Sequence, residues 1–467
     1  MPRPRALVLS VCLLAIILLP PADGFAARVS GIALPASCDA RVVPVEPEKR
    51  PTPVPQPPEI RVALADSLLH PPLPPGLPFG ATWVDIDGDG DLDLTVPLDR
   101  DQAPSLLVYR NDHGVFQDMT KDLGLDTLTR ARSAVWLDLD GDGDLDLYVT
   151  RRSDADGNRL YENVKGRMVE HPVPGLTDGP GTDVSQAWGD YDQDGDPDLF
   201  LGGVLVTHPR LFRNDGDFRF TDVSAQAGID TTEMTVTAVF SDFDGDGDLD
   251  LSLGDVFNFR LFVNQGNGLF QDAMLPIVAP GALLVSPSWA DVQGDGVPDL
   301  LIGGLFPSLM FENKFDAALP PNQWFANRTG SWGSGPPGGS GGTWADLDLD
   351  GDLDLLAASA ARGARVFENR VPAGGKLVDI SAALALPDTF GVTWQPSAGD
   401  YDGDGLPDFF APHDAVPHLY HNVSIPGGRP LRLHLVPAQG GVALGARVRF
   451  ENGGHVQVRE IDWPASA

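Results

Sequence analysis

Seven copies of one nine-residue acidic loop divide this chain, and no fold that ignores them is admissible. They begin at Asp85, Asp138, Asp190, Asp242, Asp291, Asp346 and Asp400, in steps of 53, 52, 52, 49, 55 and 54 residues. The first reads Asp85-Ile86-Asp87-Gly88-Asp89-Gly90-Asp91-Leu92-Asp93. The others follow its Asp-x-Asp-x-Asp-Gly-x-x-Asp pattern, with one exception at position 3 of the fifth. A repeat of about fifty residues marks a solenoid, a propeller or an array.

Carboxylates at alternate positions, a glycine and a further carboxylate make a cage of hard oxygens. Calcium takes six to eight such ligands at roughly 2.3–2.6 Å in a tolerant geometry. The spacing assigns side-chain ligands at four positions. Position 1 is Asp85, Asp138, Asp190, Asp242, Asp291, Asp346 and Asp400. Position 3 is Asp87, Asp140, Asp192, Asp244, Gln293, Asp348 and Asp402. Position 5 is Asp89, Asp142, Asp194, Asp246, Asp295, Asp350 and Asp404. Position 9 is Asp93, Asp146, Asp198, Asp250, Asp299, Asp354 and Asp408. The carbonyl of position 7 is a fifth ligand, from Asp91, Asp144, Asp196, Asp248, Val297, Asp352 and Leu406. Water completes the shell, and up to seven calcium ions are expected. Position 6 is Gly in all seven copies, where a residue without Cβ turns the chain cheaply. Gln293 costs the fifth loop a negative charge, so that loop is expected to bind most weakly.

These loops are not EF-hands, which need a Glu at position 12 and flanking helices. Position 12 here is Val96, Val149, Leu201, Leu253, Ile302, Ala357 and Ala411, none of them a ligand. Strand-like runs follow position 9, so each loop is expected to join two strands.

The formal charge is −34. Seven loops of four assigned side chains, less Gln293, account for 27 Asp; what remains is 39 acids against 32 bases, a balance of −7. The acidity therefore belongs to the loops, and seven bound calcium ions would bring −34 to −20. Without metal, four carboxylates packed together repel one another, so empty loops are expected to be strained or loose. No basic patch is evident, which argues against a nucleic-acid partner.

Arg3 and Arg5, the apolar run 6–19 and the small residues Gly24, Ala26 and Ala27 read as a secretory signal over 1–26. Fourteen apolar residues are too few for an ordinary membrane span, and no later segment could cross a bilayer. Secretion to the extracellular space or periplasm is expected, with no membrane span left after signal removal. Cys12 leaves with the signal and Cys38 remains alone, so no intramolecular disulfide is expected and metal is the available cross-link. Residues 41–78 carry twelve Pro and read, within a linker over 27–78, as a polyproline spacer.

From Phe79 the unit is read in order. An aromatic stands two places before the loop at Trp83, Trp136, Trp188, Phe240, Trp289 and Trp344; the seventh copy has Ala398 there, with Trp394 upstream. After the loop and a short apolar strand comes an aromatic-x-Asn triplet ending at Asn111, Asn163, Asn214, Asn264, Asn313, Asn369 and Asn422. Several copies continue to a Phe-x-Asp element, as at Phe116/Asp118 and Phe270/Asp272. No sustained 3.6-residue apolar period appears, so helices are expected to be scarce. Four short strands per unit, seven times over, predict an all-β fold: a seven-bladed β-propeller over 79–425 with its loops on one rim, plus a short C-terminal β segment. The aromatics are expected between blades. Ring closure would use a strand from 60–64 or one after Asn422.

These loops and flanks resemble FG-GAP/VCBS repeats, the units of integrin α-subunit propellers, with Phe79-Gly80-Ala81 similar to the family's opening. Gly445-Ala446-Arg447-Val448 and the run Gly453–Glu460 resemble the start of an ASPIC/UnbV module, so 426–467 reads as a partial copy of it. Propeller plus that module is the layout of the cartilage acidic protein family. The resemblance implies an extracellular, calcium-binding interaction protein whose partner is a protein or a glycan.

No catalytic motif survives inspection, and no enzyme is expected. Gly338–Gly342 fits Gly-x-Ser-x-Gly, but that elbow needs a strand, a turn and then a helix, and here a Gly-rich loop leads into the strand of Trp344. His418 and His421 are three apart on an expected strand and point to opposite faces, which disfavours a second metal site with His413. Three functions stay open: a calcium-stabilised propeller binding a protein or matrix partner, a lectin-like propeller, and a polysaccharide-degrading enzyme on the same scaffold.

Overall fold

A computed structural model describes residues 59–431, apart from 71, 75, 153–156, 178–182, 204–208, 230–234, 256–257, 276, 278–285, 305–307, 334–340, 360–362, 388–393 and 415. It also describes strands at Ala15–Ile17, Arg28–Ala33, Cys38–Arg41, His434–Pro437, Arg447–Asn452 and His455–Glu460. Seven sheets follow one another, six with a four-stranded antiparallel meander and the seventh completed by a strand from the N-terminal side: a seven-bladed β-propeller. Among the described residues, helix is confined to Ser224–Ala227 and two short 3₁₀ turns.

Each acidic loop joins the first strand of a blade to the second, and position 9 opens the second strand in every copy, from Asp93–Asp99 to Asp408–Ala411. All seven loops are thus equivalent connections. The triplet closes the third strand, as in Phe259–Asn264 and His418–Asn422, and the Phe-x-Asp element is the fourth, as in Val115–Asp118 and Phe270–Asp272. Second strands are buried along their length, which is why their middles, such as Leu147–Val149 and Leu300–Ile302, read as apolar runs. Pro298 and Pro407 fall one residue ahead of the second strand, outside its ladder.

The ring closes through the N-terminal side. Val62–Leu64 pairs antiparallel with His418–Asn422 and supplies the fourth strand of blade seven. A flanking bridge joins Glu59 to Ile425. Leu69–His70 and Leu77–Pro78 add to blade one. The last twenty residues of the stretch read as linker are therefore part of the ring. The physical reason is that blade seven has only three strands of its own, one before its loop and two after, and an open edge is paired where a strand is at hand. Most of the polyproline run lies outside the described residues.

The aromatics before the loops sit between blades, and five indoles tie a blade to its predecessor; blade four has Phe240 and blade seven Ala398 instead. Trp136 is fully buried and its Nε1–H donates to Thr95 Oγ1 of blade one at 3.0 Å. Trp289 donates to Ser252 Oγ, and Trp344 to Ser288 Oγ, each at 3.0 Å across a junction. Trp188 reaches blade two through Gln186, whose amide donates to Ser133. At the closing junction Trp83 donates to the Ser397 carbonyl and stacks on Tyr401. Gly399 is required beneath it, since a Cβ there would lie 2.8 Å from Trp83 Cγ. The displaced Trp394 packs on Phe79 at 4.4 Å between ring centroids. Trp136→Ala should cost about 3–5 kcal/mol, read as a lowered urea midpoint, because it opens a cavity and orphans Thr95.

Outside the propeller, Arg28–Ala33 pairs with Arg447–Asn452, which pairs in turn with His455–Glu460, a three-stranded C-terminal sheet. Cys38–Arg41 pairs with His434–Pro437, and Ala15–Ile17 with Arg429–Leu431. Among the described residues no helix is long and apolar enough to cross a membrane.

Candidate metal centres

The loops share one internal architecture. Position 6 has positive φ in all seven copies, from 90° at Gly296 to 107° at Gly351. Position 4 is left-handed as well, at Gly88, Gly141, Gly245, Gly294 and Gly403, and also at Gln193 and Leu349. Two left-handed residues fold the loop over its own carboxylates, and only Gly takes that conformation without steric cost. Gly90→Ala should cost about 1–2 kcal/mol by thermal denaturation, although nothing lies within 4 Å of the added Cβ.

Position 1 is the hub. Asp85 Oδ1 accepts from the Gly88 and Asp89 N–H groups at 2.8 and 3.1 Å, and Oδ2 from Gly90 at 3.0 Å. Asp138, Asp291 and Asp346 repeat the pattern. Position 5 accepts from the N–H of position 7 in every copy, as Asp89 does from Asp91 and Asp404 from Leu406. Position 9 is the most buried member. Its Oδ2 accepts from the position-2 N–H and its Oδ1 from the N–H of the triplet Asn, as in Asp93 with Ile86 and Asn111. That pair of bonds recurs at Asp408 with Tyr401 and Asn422.

Carboxylates from positions 1, 3 and 9 converge. One oxygen from each of Asp85, Asp87 and Asp93 lies within 4.8 Å of the others, and the same holds for Asp138, Asp140 and Asp146. In loop three the converging set is Asp190, Asp192 and Asp194. Asp190 Oδ1, Asp192 Oδ1 and Asp348 Oδ1 are buried carboxylate oxygens that accept no hydrogen bond, a cost a bound cation would remove. The donor set of hard oxygens around a sharp turn suits a divalent cation of the calcium type. Loop five differs. Gln293 Nε2 donates to Asp295 Oδ2 at 2.7 Å, so an amide hydrogen holds an oxygen that other loops leave to the cage.

Burial dominates the electrostatics. It pushes the carboxyl of Asp93 up to about 8, Asp146 to about 7, Asp299 to about 8 and Asp408 to about 9, against the backbone N–H bonds that pull the other way. Asp198, Asp250 and Asp354 are raised well above the usual range for the same reason, with neighbouring aspartates adding to it. Asp138 reaches about 6 and Asp190 about 7. A folded pKa above the unfolded value of about 3.9 stabilises the fold below that value and loses the stabilisation as pH rises through the folded value. Metal-stripped protein should therefore become less stable between pH 5 and pH 9. A cation displaces the protons, so its benefit grows over the same window. Urea midpoints of stripped protein at pH 5 and pH 8 decide this; a higher midpoint at pH 8 would refute it.

The triplet Asn, visible in the sequence only as a recurring letter, is a clamp. In blades one, four, five and seven its Nδ2 donates to the position-8 carbonyl of its own loop and to the position-2 carbonyl of the preceding blade's loop, while Asn163 makes only the first bond. Asn264 binds Leu249 and Tyr191, Asn313 binds Pro298 and Phe243, and Asn422 binds Pro407 and Leu347. Asn369 reaches Val292, and Asn111 closes the circle on Tyr401 of blade seven. Adjacent loops are thereby cross-tied at five junctions. Asn313→Ala should cost about 1–3 kcal/mol by leaving two buried carbonyls unpaired.

The three histidines of blade seven meet different partners, and of the three His421 lies against loop seven, beside Asp402 and Asp404. His418 Nδ1 sits 2.8 Å from Asp66 Oδ2, His421 Nε2 3.3 Å from Asp402 Oδ2, and His413 Nδ1 accepts from the Val416 N–H. Gly338–Ser340 lie outside the described residues, and Gly342–Ala345 is a strand.

Residues 85–149, 138–201 and 346–411 match the FG-GAP-like repeat family. Each match starts at position 1 of one acidic loop and ends at position 12 of the next. The chain therefore carries FG-GAP-like repeats on a seven-bladed β-propeller. No match was found among curated proteins. Among solved structures, the chain is similar to an Agrocybe aegerita lectin described for recognition of non-reducing terminal N-acetylglucosamine, at 18% identity over 73% of this chain and 96% of that one, with a TM-score of 0.43. It is also similar to the extracellular domain of a putative one-component system from B. thetaiotaomicron, at 14% identity over 78% of this chain and 40% of that one, TM-score 0.46. The exotype rhamnogalacturonan lyase YesX gives 14% identity over 78% of this chain and 74% of that one, TM-score 0.41.

Proposed function

We propose that this is a secreted, calcium-binding β-propeller that acts as an extracellular interaction module of adhesion type, with calcium structural and not catalytic. The observation that carries the reading is the ring of loops: seven equivalent acidic turns, cross-tied by the triplet Asn residues, with buried carboxylate oxygens left for a cation. The ligands are the side chains of positions 1, 3, 5 and 9 with the position-7 carbonyl, and the ion supplies the positive charge that lets these carboxylates stay ionised together. A rim stiffened in this way is a rigid platform for a protein partner of the matrix. The layout of a propeller followed by an ASPIC/UnbV-type module, as in the cartilage acidic protein family, is our reading of 426–467, supported by the hairpin of Arg447–Asn452 and His455–Glu460. Export through the signal at 1–26 fits the lone Cys38 and the metal cross-linking.

The test is binding of the calcium-loaded protein to a panel of immobilised matrix proteins and to a broad glycan array, each repeated with chelator. Calcium-dependent capture by a matrix protein supports the proposal. Hits confined to the glycan array would replace it with a lectin, and release of reducing ends or unsaturated sugars from a polysaccharide would replace it with an enzyme. Loop five should empty first as calcium falls, because Gln293 removes a charge; a titration in which it binds tightest would refute that ranking.

A further inference from the structure

The seven loops are nearly identical in their own residues, yet they do not sit in identical fields. The difference comes from the third strand, through the middle residue of the aromatic-x-Asn triplet. In blade one this is Arg110, whose Nη1 lies 3.9 Å from Asp87 Oδ2. In blade five it is Glu312, with Oε1 3.5 Å from Gln293 Nε2, and in blade seven His421, 3.3 Å from Asp402. All three partners are position 3 of the loop. The repeat puts Glu162, Arg213 and Glu368 at the same point of the third strand in blades two, three and six. Blade four has Val263 there and receives no charge.

We propose that the middle residue of each triplet sets the calcium affinity of its own blade's loop. Glu162 adds a carboxylate beside loop two and tightens it. Arg110 puts a competing cation beside loop one and weakens it. Arg213 acts in the same sense on loop three, tempered by its ion pair with Asp215, and Glu368 favours loop six, tempered by Arg370. Glu312 cannot replace the charge lost at Gln293, because Lys314 and Arg328 already hold it. The ring is therefore a graded set of sites that fill in sequence as calcium rises. The inference rests on the calcium reading above. Independent support for a cation in these cages comes from Asp190 and Asp348, each more than nine-tenths buried with an oxygen that accepts nothing. The neighbour acts through partly exposed space, so a full charge reversal is expected to shift affinity roughly tenfold and not more.

The experiment uses the full chain, stripped and titrated with calcium chloride by equilibrium dialysis, with bound metal counted directly. Arg110→Glu should tighten one site roughly tenfold, and Arg110→Gln, which only removes the cation, should fall between it and the parent. Glu162→Arg should weaken one site roughly tenfold. The number of ions at saturation and the circular dichroism should be unchanged in all three. A parent that binds calcium while none of the variants shifts any site overturns the tuning. A parent that binds no calcium overturns the metal reading itself.

Discussion

Stripping calcium should lower the melting temperature by at least ~15 °C. A ligand that binds only the folded state adds RT ln(1 + [L]/Kd) per site, about 2.7 kcal/mol at one hundred times Kd. Several such sites together exceed the ~5–15 kcal/mol that a typical domain commands. The structure gives two reasons why the loss should be global. The position-9 carboxylates open the second strand of every blade and are buried, so an empty loop leaves a charge to be neutralised inside the sheet. At five of the seven junctions an Asn clamp ties a loop to its neighbour, so loosening one removes a partner from the next. Differential scanning calorimetry with calcium and with chelator at pH 8 makes the comparison. A melting curve indifferent to chelator would sink the metal linkage.

Removing the closing strand should be nearly as damaging. Val62–Leu64 is the fourth strand of blade seven, Ile60 is buried with Phe409 and Tyr420, and the Val423 N–H donates to the Arg61 carbonyl. Deleting residues 59–65 exposes that apolar cluster and leaves His418–Asn422 as an open edge. A loss of more than ~5 kcal/mol is expected, together with self-association through the bare edge on gel filtration. Ala63→Pro is the milder version. It removes one strand N–H opposite His421 and should cost ~3 kcal/mol. A deletion variant that stays monomeric with an unchanged urea midpoint would show that the ring closes elsewhere.

The sequence by itself determined the number of blades, the place of each loop between two strands and the candidate cage residues. It could do so because a repeat multiplies a weak local signal sevenfold, and because Asp, Gly and apolar strand residues obey rules that act within ten positions. Position 6 shows this best, since its left-handed turn needs Gly in any context. What only the tertiary structure decided are the relations between units. The Asn of the triplet looks the same in every copy, but that it clamps the loop of the preceding blade follows from two strands meeting across a junction. The sequence offered 60–64 as one of two closing strands, but only the ring itself shows that Val62–Leu64 meets His418–Asn422, more than 350 residues away. Ser252 and Thr95 gave no sign that an indole from the next blade would bond to them. Side chains that meet across a junction are fixed by how blades pack, and packing joins residues that the chain itself keeps apart.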